Sequence, residues 1–399
     1  MNALKIIITV PSLAGRSGSV LYVRDLALGL LRLGHLPVVF TLEISEVGQA
    51  LRFETVPVVD DLSKVGFKPD IVIGNGHPEL VQALFHFPNI AGIHVCHAWD
   101  HWITLSPGLS RVRRVAAVDI TCRDWLTGQH GLPEEKICVI QNAVDVDRFQ
   151  PRGPLPERPR KALVFSSYLD EHNGLSIIRS ACTDAGIALD VVGERVGRIH
   201  TKPEELLGQY DIVFAKARSA LEAMAVGCAV ILCNGGGAGP LVTSENIEFL
   251  WPRNFGRRVL HKAFTVSHFA EQLQHYNAAD ALMVSQRVRR EGSLESFVSK
   301  ITSLCYQVIE EQDASCMDPE EEIAGYAAYL KLVAPMLSQY YRLAVAHHDQ
   351  GLTLARIDAA NKALSLQYQE QQGRYLALLE EQNRLTLRIE GQCNLFPCQ

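Results

Sequence analysis

The sequence predicts an α/β protein of two doubly wound domains in tandem, followed by an α-helical C-terminal extension. Three observations carry that expectation. Over the first 150 residues, short runs rich in valine and isoleucine alternate with helical or loop-like stretches, as strands buried on both faces of a parallel sheet do. Four prolines between positions 151 and 159 interrupt the pattern, because proline lacks the backbone donor that a helix or ladder needs. Beyond them the alternation restarts, and from 317 onward nothing resembles a strand. The expected divisions are 1–152, 160–312 and 317–399. A chain of 399 residues has room for two domains of ordinary size plus such an extra segment.

The first half opens with an apolar stretch at 4–11, ended by Pro11, and a helix over 18–33. Val20, Val23, Ala27, Leu30 and Leu31 recur at helical spacing and mark its inward face. Strand candidates follow at 37–42, 56–59, 71–74, 90–97, 115–120 and 137–144. In the second half they lie at 161–167, 188–193, 211–215 and 229–234, with helices at 174–185 and 220–226 and further helical sequence over 266–312. The last segment reads as one long helix over 353–390. Steps of three and four along it visit Ile357, Asn361, Leu364, Tyr368, Gln371, Tyr375, Leu378, Gln382, Leu385 and Ile389, seven of them apolar. That seam suits either self-association through a coiled coil or a single helix packed along its own domain.

The composition, 47% hydrophobic and 21% charged, is that of a globular chain. A net charge of −6 gives no reason to expect nucleic acid as a partner. Two local basic clusters, Arg111/Arg113/Arg114 and Arg253/Arg257/Arg258/Lys262, read as solvated faces, with contact to a phosphate or an anionic membrane surface as the sharper alternative. No apolar run approaches the roughly 20 residues that span a bilayer. The ten cysteines are scattered without a CxxC pair, so free thiols in a cytoplasmic protein are expected, and Cys228 and Cys233 read as small core residues.

Residues capable of chemistry concentrate at a few places. The loop Gly15-Arg16-Ser17-Gly18-Ser19 follows the first strand and opens the first helix; its glycines let backbone approach a ligand, and a helix N-terminus favours an anion. It matches neither the dinucleotide GxGxxG pattern nor a Walker loop. Between 93 and 102 lie three histidines and two tryptophans. His97 stands where the strand ends, on the edge at which doubly wound sheets bind ligands, whereas His94 reads as core. A strand-then-loop path does not aim His94, His97 and His101 at one point, so no metal site is expected. Glu222 lies near a helix start, where its carboxylate either accepts two hydrogen bonds from a diol or merely favours the helix N-terminus. The glycine run Gly235-Gly236-Gly237 after Asn234 reads as a loop able to point N–H groups at a diphosphate.

The hinge run Ile140-Gln141-Asn142-Ala143-Val144-Asp145 and the helix Ala220-Leu221-Glu222-Ala223-Met224-Ala225-Val226-Gly227 resemble the middle and the donor-site helix of a GT-B glycosyltransferase, close to glycosyltransferase family 4. The resemblance covers roughly 1–312. It implies two Rossmann-like domains facing across a cleft. It also implies transfer of a sugar from a nucleotide-diphosphate donor to an acceptor of unknown identity, with retention at the anomeric carbon. The nucleotide sugar is a substrate, and no cofactor is implied. His97 would line the reacting centre; Asp100 and His101, read from their position alone, are candidates for acceptor contacts only. Glu222 would hold the donor ribose and Gly235, Gly236 and Gly237 the diphosphate, while Gly15, Arg16, Ser17 and Gly18 would complete the cleft. Asp145-Val146-Asp147 matches the metal-binding Asp-X-Asp of a different glycosyltransferase fold only superficially, and these aspartates read as turn and capping residues.

Three positions depart from the family pattern. Phe214 stands eight residues before Glu222, where family members have a first glutamate; Ser167 and Asn173 replace an arginine and a lysine that grip the diphosphate. Two charge-assisted hydrogen bonds at roughly 1.5–3 kcal/mol each correspond to about two to four orders of magnitude in rate. Lys216 and Arg218, with Arg195 in reserve, are expected to supply the missing charge. The rival expectations are a non-catalytic glycosyltransferase-like binding or scaffold protein and a sugar-nucleotide epimerase, the latter lacking an obvious carboxylate acid/base pair.

Overall fold

The computed structural model describes residues 2–315 and 318–393, with side chains through Arg374. The first half contains β1 (Lys5–Thr9), α1 (Gly18–Arg32), β2 (Leu36–Phe40), α2 (Glu46–Phe53), β3 (Val58–Val59), β4 (Ile71–Gly74), α3 (His77–His86), β5 (Ala91–Cys96), β6 (Val112–Ala117), α4 (Ile120–Gly128) and β7 (Ile137–Val139). Its seven strands form a parallel sheet in the order β3-β2-β1-β4-β5-β6-β7. The order reverses between β1 and β4, so the loop carrying Gly15–Gly18 leaves the sheet at its switch point, where ligands bind in such sheets.

After the hinge come β8 (Lys161–Phe165), α5 (Leu175–Asp184), β9 (Ala188–Val192), α6 (Pro203–Leu206), β10 (Ile212–Ala215), α7 (Ala217–Val226), β11 (Ala229–Asn234) and β12 (Gly237–Leu241). Short α8 (Ile247–Leu250), then α9 (Val266–Gln274), α10 (Ala278–Glu291) and α11 (Leu294–Asp313) complete this half. The second sheet runs β12-β11-β10-β8-β9 with only β12 antiparallel. Its switch point lies between β8 and β10, the strands that lead into Ser167 and into Lys216. Both faces are covered, as the period of two demands: Leu163, Val213 and Val230 pack with α7 and α10 residues, and Val164, Phe214 and Ile231 with α5 and α9 residues.

The two-sheet architecture and the helical extension match the expected fold, and four boundaries are corrected. The strand expected at 115–120 ends at Ala117, because the Asp119 side chain accepts from Cys122 N and starts α4. The strand expected at 137–144 stops at Val139, since β7 is an edge strand paired only with β6. The helical stretch over 266–312 is three helices, and the last returns to the first sheet: Phe297, Val298, Ile301 and Cys305 share the core of β1, β5 and α1. Gly29 permits that return, for a Cβ there would lie 2.4 Å from Val298 Cγ2. The glycine run expected as an open loop is a β-hairpin, with Gly237 paired to Asn234 and the two-residue turn at Gly235-Gly236; glycines suit such tight turns.

The first basic cluster is also reassigned. Arg111 is buried and donates to the carbonyls of Leu84, Phe87 and Ile90. Arg113 donates to Gln312 Oε1 at 2.9 Å, and Arg114 pairs with Glu311. These guanidiniums anchor α11 and neighbouring loops to β6 instead of forming a solvated face.

Gly193 closes the carboxyl end of β9, where a Cβ would stand 1.9 Å from the Ser166 carbonyl oxygen. A backbone oxygen cannot swing away as a side chain does. Gly193→Ala is therefore expected to lower stability by about 1–3 kcal/mol, read as a fall in the denaturant midpoint at unchanged slope.

The C-terminal unit, residues 326–399, lies within α12 (Pro319–Cys393) as far as it is described. Five of the ten expected seam residues, Tyr375 to Ile389, lie beyond the described side chains. Among the described residues, no helix is long and apolar enough to cross a membrane.

Candidate functional site

The carboxyl ends of both sheets meet around a buried set of charges. Asp25 is the origin on the first-sheet side. It belongs to α1, on the stripe shared with Tyr22 and Gly29, and is 6% exposed. Opposite stands α7, which begins at Ala217 and so places Lys216 at the helix cap and Arg218 in its first turn. The Arg218 guanidinium pairs with Asp25 through Nη2 and donates from Nε to Glu222 Oε1 at 2.8 Å. Arg24 adds a second cation to Asp25 at 2.6 Å, and Arg148 from the hinge stands 4.0 Å from Glu222 Oε1.

Arg218 thus bridges the two halves of the fold, joining a carboxylate on α1 to one four residues along its own helix. Burial pushes the Asp25 carboxyl up, but Arg218 and then Arg24 outweigh it and pull it down to about 2. Burial disfavours the Arg218 charge, and Asp25 and Glu222 more than restore it, holding the guanidinium above its usual range. Three guanidiniums face two carboxylates, so the cluster keeps one positive charge in excess. The Nε of Arg148 is buried with no hydrogen-bond partner among the described residues.

His97 joins this cluster at the end of β5. Its ring meets Tyr22 of α1 edge-on, with centroids 4.4 Å apart. Burial, then His94 and Arg218, push its imidazole down to about 3, so it is neutral at pH 7. Its Nε2 has no hydrogen-bond partner among the described residues. His94 is buried as expected, with Nε2 3.0 Å from the Thr104 carbonyl, and so braces the loop that carries Trp99 to Trp102.

A second group gathers at the switch point of the second sheet. The ammonium of Lys216 lies 4.5 Å from the centre of the Tyr168 ring, on the loop after β8. Burial and then Arg257 lower its pKa. Asn173 donates to the Tyr168 carbonyl at 2.7 Å and abuts Gly235. Arg195 is half exposed and pairs with Asp170 of the same loop at 3.2 Å. Arg257 and Arg258 reach across to Asp100 and Asp124 at 3.1 and 2.5 Å, and Arg257 lies over the Trp99 ring.

Of the expected site residues, the structure brings His97, Arg218 and Glu222 together, and separately Lys216, Arg195 and the Gly235–Gly237 hairpin around the loop 166–173. Gly15, Arg16, Ser17 and Gly18 form an exposed loop in which Gly15 takes φ +68° and Ser17 caps α1. Phe214, at the position of the missing glutamate, is core, edge-on to Phe269 on the α9 side. Sequence reasoning missed Arg24, Asp25, Arg148 and Tyr168. For Asp25 the signal was present, an acid on the buried stripe of an amphipathic helix; for Arg148 it was not, because only the fold brings the hinge beside α7. Among the described residues no group of three or more His, Cys, Asp or Glu side chains is arranged to hold a metal ion.

The family model for glycosyltransferase family 4 matches residues 59–148. No curated protein sequence matches the chain. Among solved structures, a glycosyltransferase from Rickettsia africae ESF-5 is similar at 16% identity and a TM-score of 0.51, over 78% of this chain and 100% of that one. Anabaena HepE in complex with UDP and glucose is similar at 14% identity and a TM-score of 0.55, over 76% and 99% of the two chains. The catalytic domain of starch synthase IV from Arabidopsis thaliana, bound to ADP and acarbose, is similar at 11% identity and a TM-score of 0.53, over 77% and 100%. At these identities the likeness is one of fold: two Rossmann-like domains in the GT-B arrangement, here followed by a long helix.

Proposed function

We propose that this GT-B-fold chain is a glycosyltransferase that moves a sugar, of hexosyl type, from a nucleotide-diphosphate donor to an acceptor hydroxyl with retention at the anomeric carbon. The observation that carries the reading is the charge at the two switch points. A buried cluster with a positive charge in excess is centred on Arg218, two residues after Lys216, which makes no ion pair among the described residues. Such a site favours a diphosphate, whose developing charge it stabilises as the bond from the anomeric carbon to oxygen breaks. The Anabaena and Arabidopsis structures hold UDP and ADP, and this supports a nucleoside diphosphate as the class of donor.

In this reading Lys216 and Arg218 grip the diphosphate and Glu222 accepts two hydrogen bonds from the ribose diol. Glu222 releases Arg218 to do so, and the freed guanidinium turns to phosphate oxygens. The neutral imidazole of His97 hydrogen-bonds a donor-sugar hydroxyl through Nε2. The acceptor oxygen attacks the face that the diphosphate leaves, and the acceptor proton passes to the departing phosphate oxygen. Gly235–Gly237 and Arg195 flank the loop after β8, and the exposed loop Gly15–Gly18 borders the acceptor side.

One observation favours a second reading, a non-catalytic protein that only binds: Arg218 and Glu222 are engaged with each other. Turnover separates the two. A thermal-shift panel of UDP-, ADP- and GDP-sugars is expected to give one stabilising donor, by about 2.7 kcal/mol at a hundredfold excess over its dissociation constant, and that donor is expected to be transferred or hydrolysed. Lys216→Ala should cut the rate by about one to two orders of magnitude. Binding without turnover supports the second reading; no stabilisation by any sugar nucleotide sinks both.

A further inference from the structure

The long helix α12 leaves an apolar stripe uncovered. From Leu337 to Arg374 every side chain is exposed, including Tyr340 at 73%, Leu354 at 66% and Leu364 at 65%. A lone helix in water gains little from such residues, since helices draw most of their stability from packing an apolar face. The spacing of the stripe says what would cover it. Starting at Tyr340, steps of seven give Tyr340, His347, Leu354, Asn361 and Tyr368. Three residues after each stand Leu343, Gln350, Ile357, Leu364 and Gln371. These are the a and d positions of five unbroken heptads, and a repeat of 3.5 residues keeps its seam against a partner helix only by left-handed supercoiling. In the sequence the same steps continue through Tyr375, Leu378, Gln382, Leu385 and Ile389.

The charges point to an identical partner. Arg342, Asp349, Arg356, Lys362 and Glu370 all fall at the outward b and c positions. Of the positions flanking the seam in these five heptads, only Asp358 at e and Arg374 at g are charged, and a parallel copy sets them against Thr353 and Leu379; Gln339, Ala346, Thr353, Ala360 and Gln367 line the rest of the g side. Nothing there repels a second copy, and nothing selects a helix of opposite charge. The single asparagine at an a position, Asn361, sets register. In a parallel, in-register pair it meets the same residue of the other copy and the two amides bond to each other. A slip of one heptad would set it against Leu354 or Tyr368 and leave a buried amide without a partner.

We propose that α12 pairs with α12 of a second copy of this chain as a parallel, two-stranded coiled coil whose register is fixed by Asn361. This does not rest on the proposed transferase activity. Sedimentation equilibrium of the full chain at micromolar concentration is expected to give twice the chain mass. The double variant Leu354→Lys/Ile357→Lys is expected to raise the dimer dissociation constant by at least about 100-fold, with the melting transition of the α/β body unchanged. Leu343→Cys and Leu364→Cys, each oxidised mildly and compared with the unsubstituted chain, should both give covalent dimers. Asn361→Ile should admit species larger than a dimer. A monomeric chain overturns the proposal, as does a trimer or a dimer indifferent to the lysines. Cross-linking at only one of the two cysteines overturns the parallel pairing, and a strict dimer in Asn361→Ile overturns the role of Asn361.

Discussion

Replacing Arg218 by methionine is expected to destabilise the protein by about 3–5 kcal/mol, read as a fall in the denaturant midpoint. Methionine keeps much of the volume of the side chain and removes its charge, leaving Asp25 and Glu222, 6% and 4% exposed, without their shared cation. Arg24 and Arg148 remain nearby but lie on other vectors, the latter 4.0 Å from Glu222. A second substitution, Asp25→Asn, should recover part of the loss, because one uncompensated carboxylate is then gone; the coupling in the double-mutant cycle is expected at about 0.5–3 kcal/mol. Arg218→Lys should fall between, since a point charge cannot serve both carboxylates as a planar fork does. Additive single and double effects would mean that the bridge between the two halves contributes nothing. The pH dependence has a definite sign. Asp25 is held down at about 2 in the folded chain, so its contribution is full above its ordinary value near 3.8 and is lost as pH falls through that value toward 2.

A second large effect is expected at higher pH, from histidines. His77 and His94 are both fully buried, and burial first, with His94 acting on His77, pushes each imidazole down to about 4. Between 6.5 and 4 the unfolded chain binds protons that the folded chain refuses. Stability is therefore greatest above 6.5 and falls as pH drops through the window. With His97, held lower still at about 3, three protons give a limiting slope of about 4.1 kcal/mol per pH unit, steep against a typical total of about 5–15 kcal/mol. Equilibrium unfolding at a series of pH values should show stability lost well before the carboxylates titrate. His94→Gln should cut that slope by about a third, at the cost of a looser Trp99–Trp102 loop, because His94 Nε2 lies beside the Thr104 carbonyl. A stability curve flat from pH 7 to 5 would sink the prediction.

Both effects sit at places that the sequence exposed only in part. The sequence placed His97 and Glu222 after strand ends, where ligands bind in doubly wound sheets, and the structure brings both beside Arg218. Arg218 was expected as a free cation beside Lys216 and not as a bridge, because its partner Asp25 lies 193 residues away. The glycines after Asn234 were read as an open loop. Whether such a run closes into a hairpin depends on the return strand, and here β12 pairs antiparallel with β11 only after Gly237 fits against the Leu260 carbonyl. The basic triplet at Arg111, Arg113 and Arg114 looked like surface; the acceptors that consume it come from α3 and its flank, α11 and the start of α12.

By itself the sequence determined the alternation of strands and helices, the proline-rich break between two sheets, the helical end of the chain and the heptad spacing along it. These depend on side-chain period and backbone chemistry within a few residues, so they are written locally. Only the tertiary structure decided that α11 completes the core of the first sheet, that Phe214 is core and not cleft, and that Arg218 is held between Asp25 and Glu222. Those outcomes depend on which distant surfaces meet, and a buried charge finds its partner by proximity in space, not by spacing along the chain.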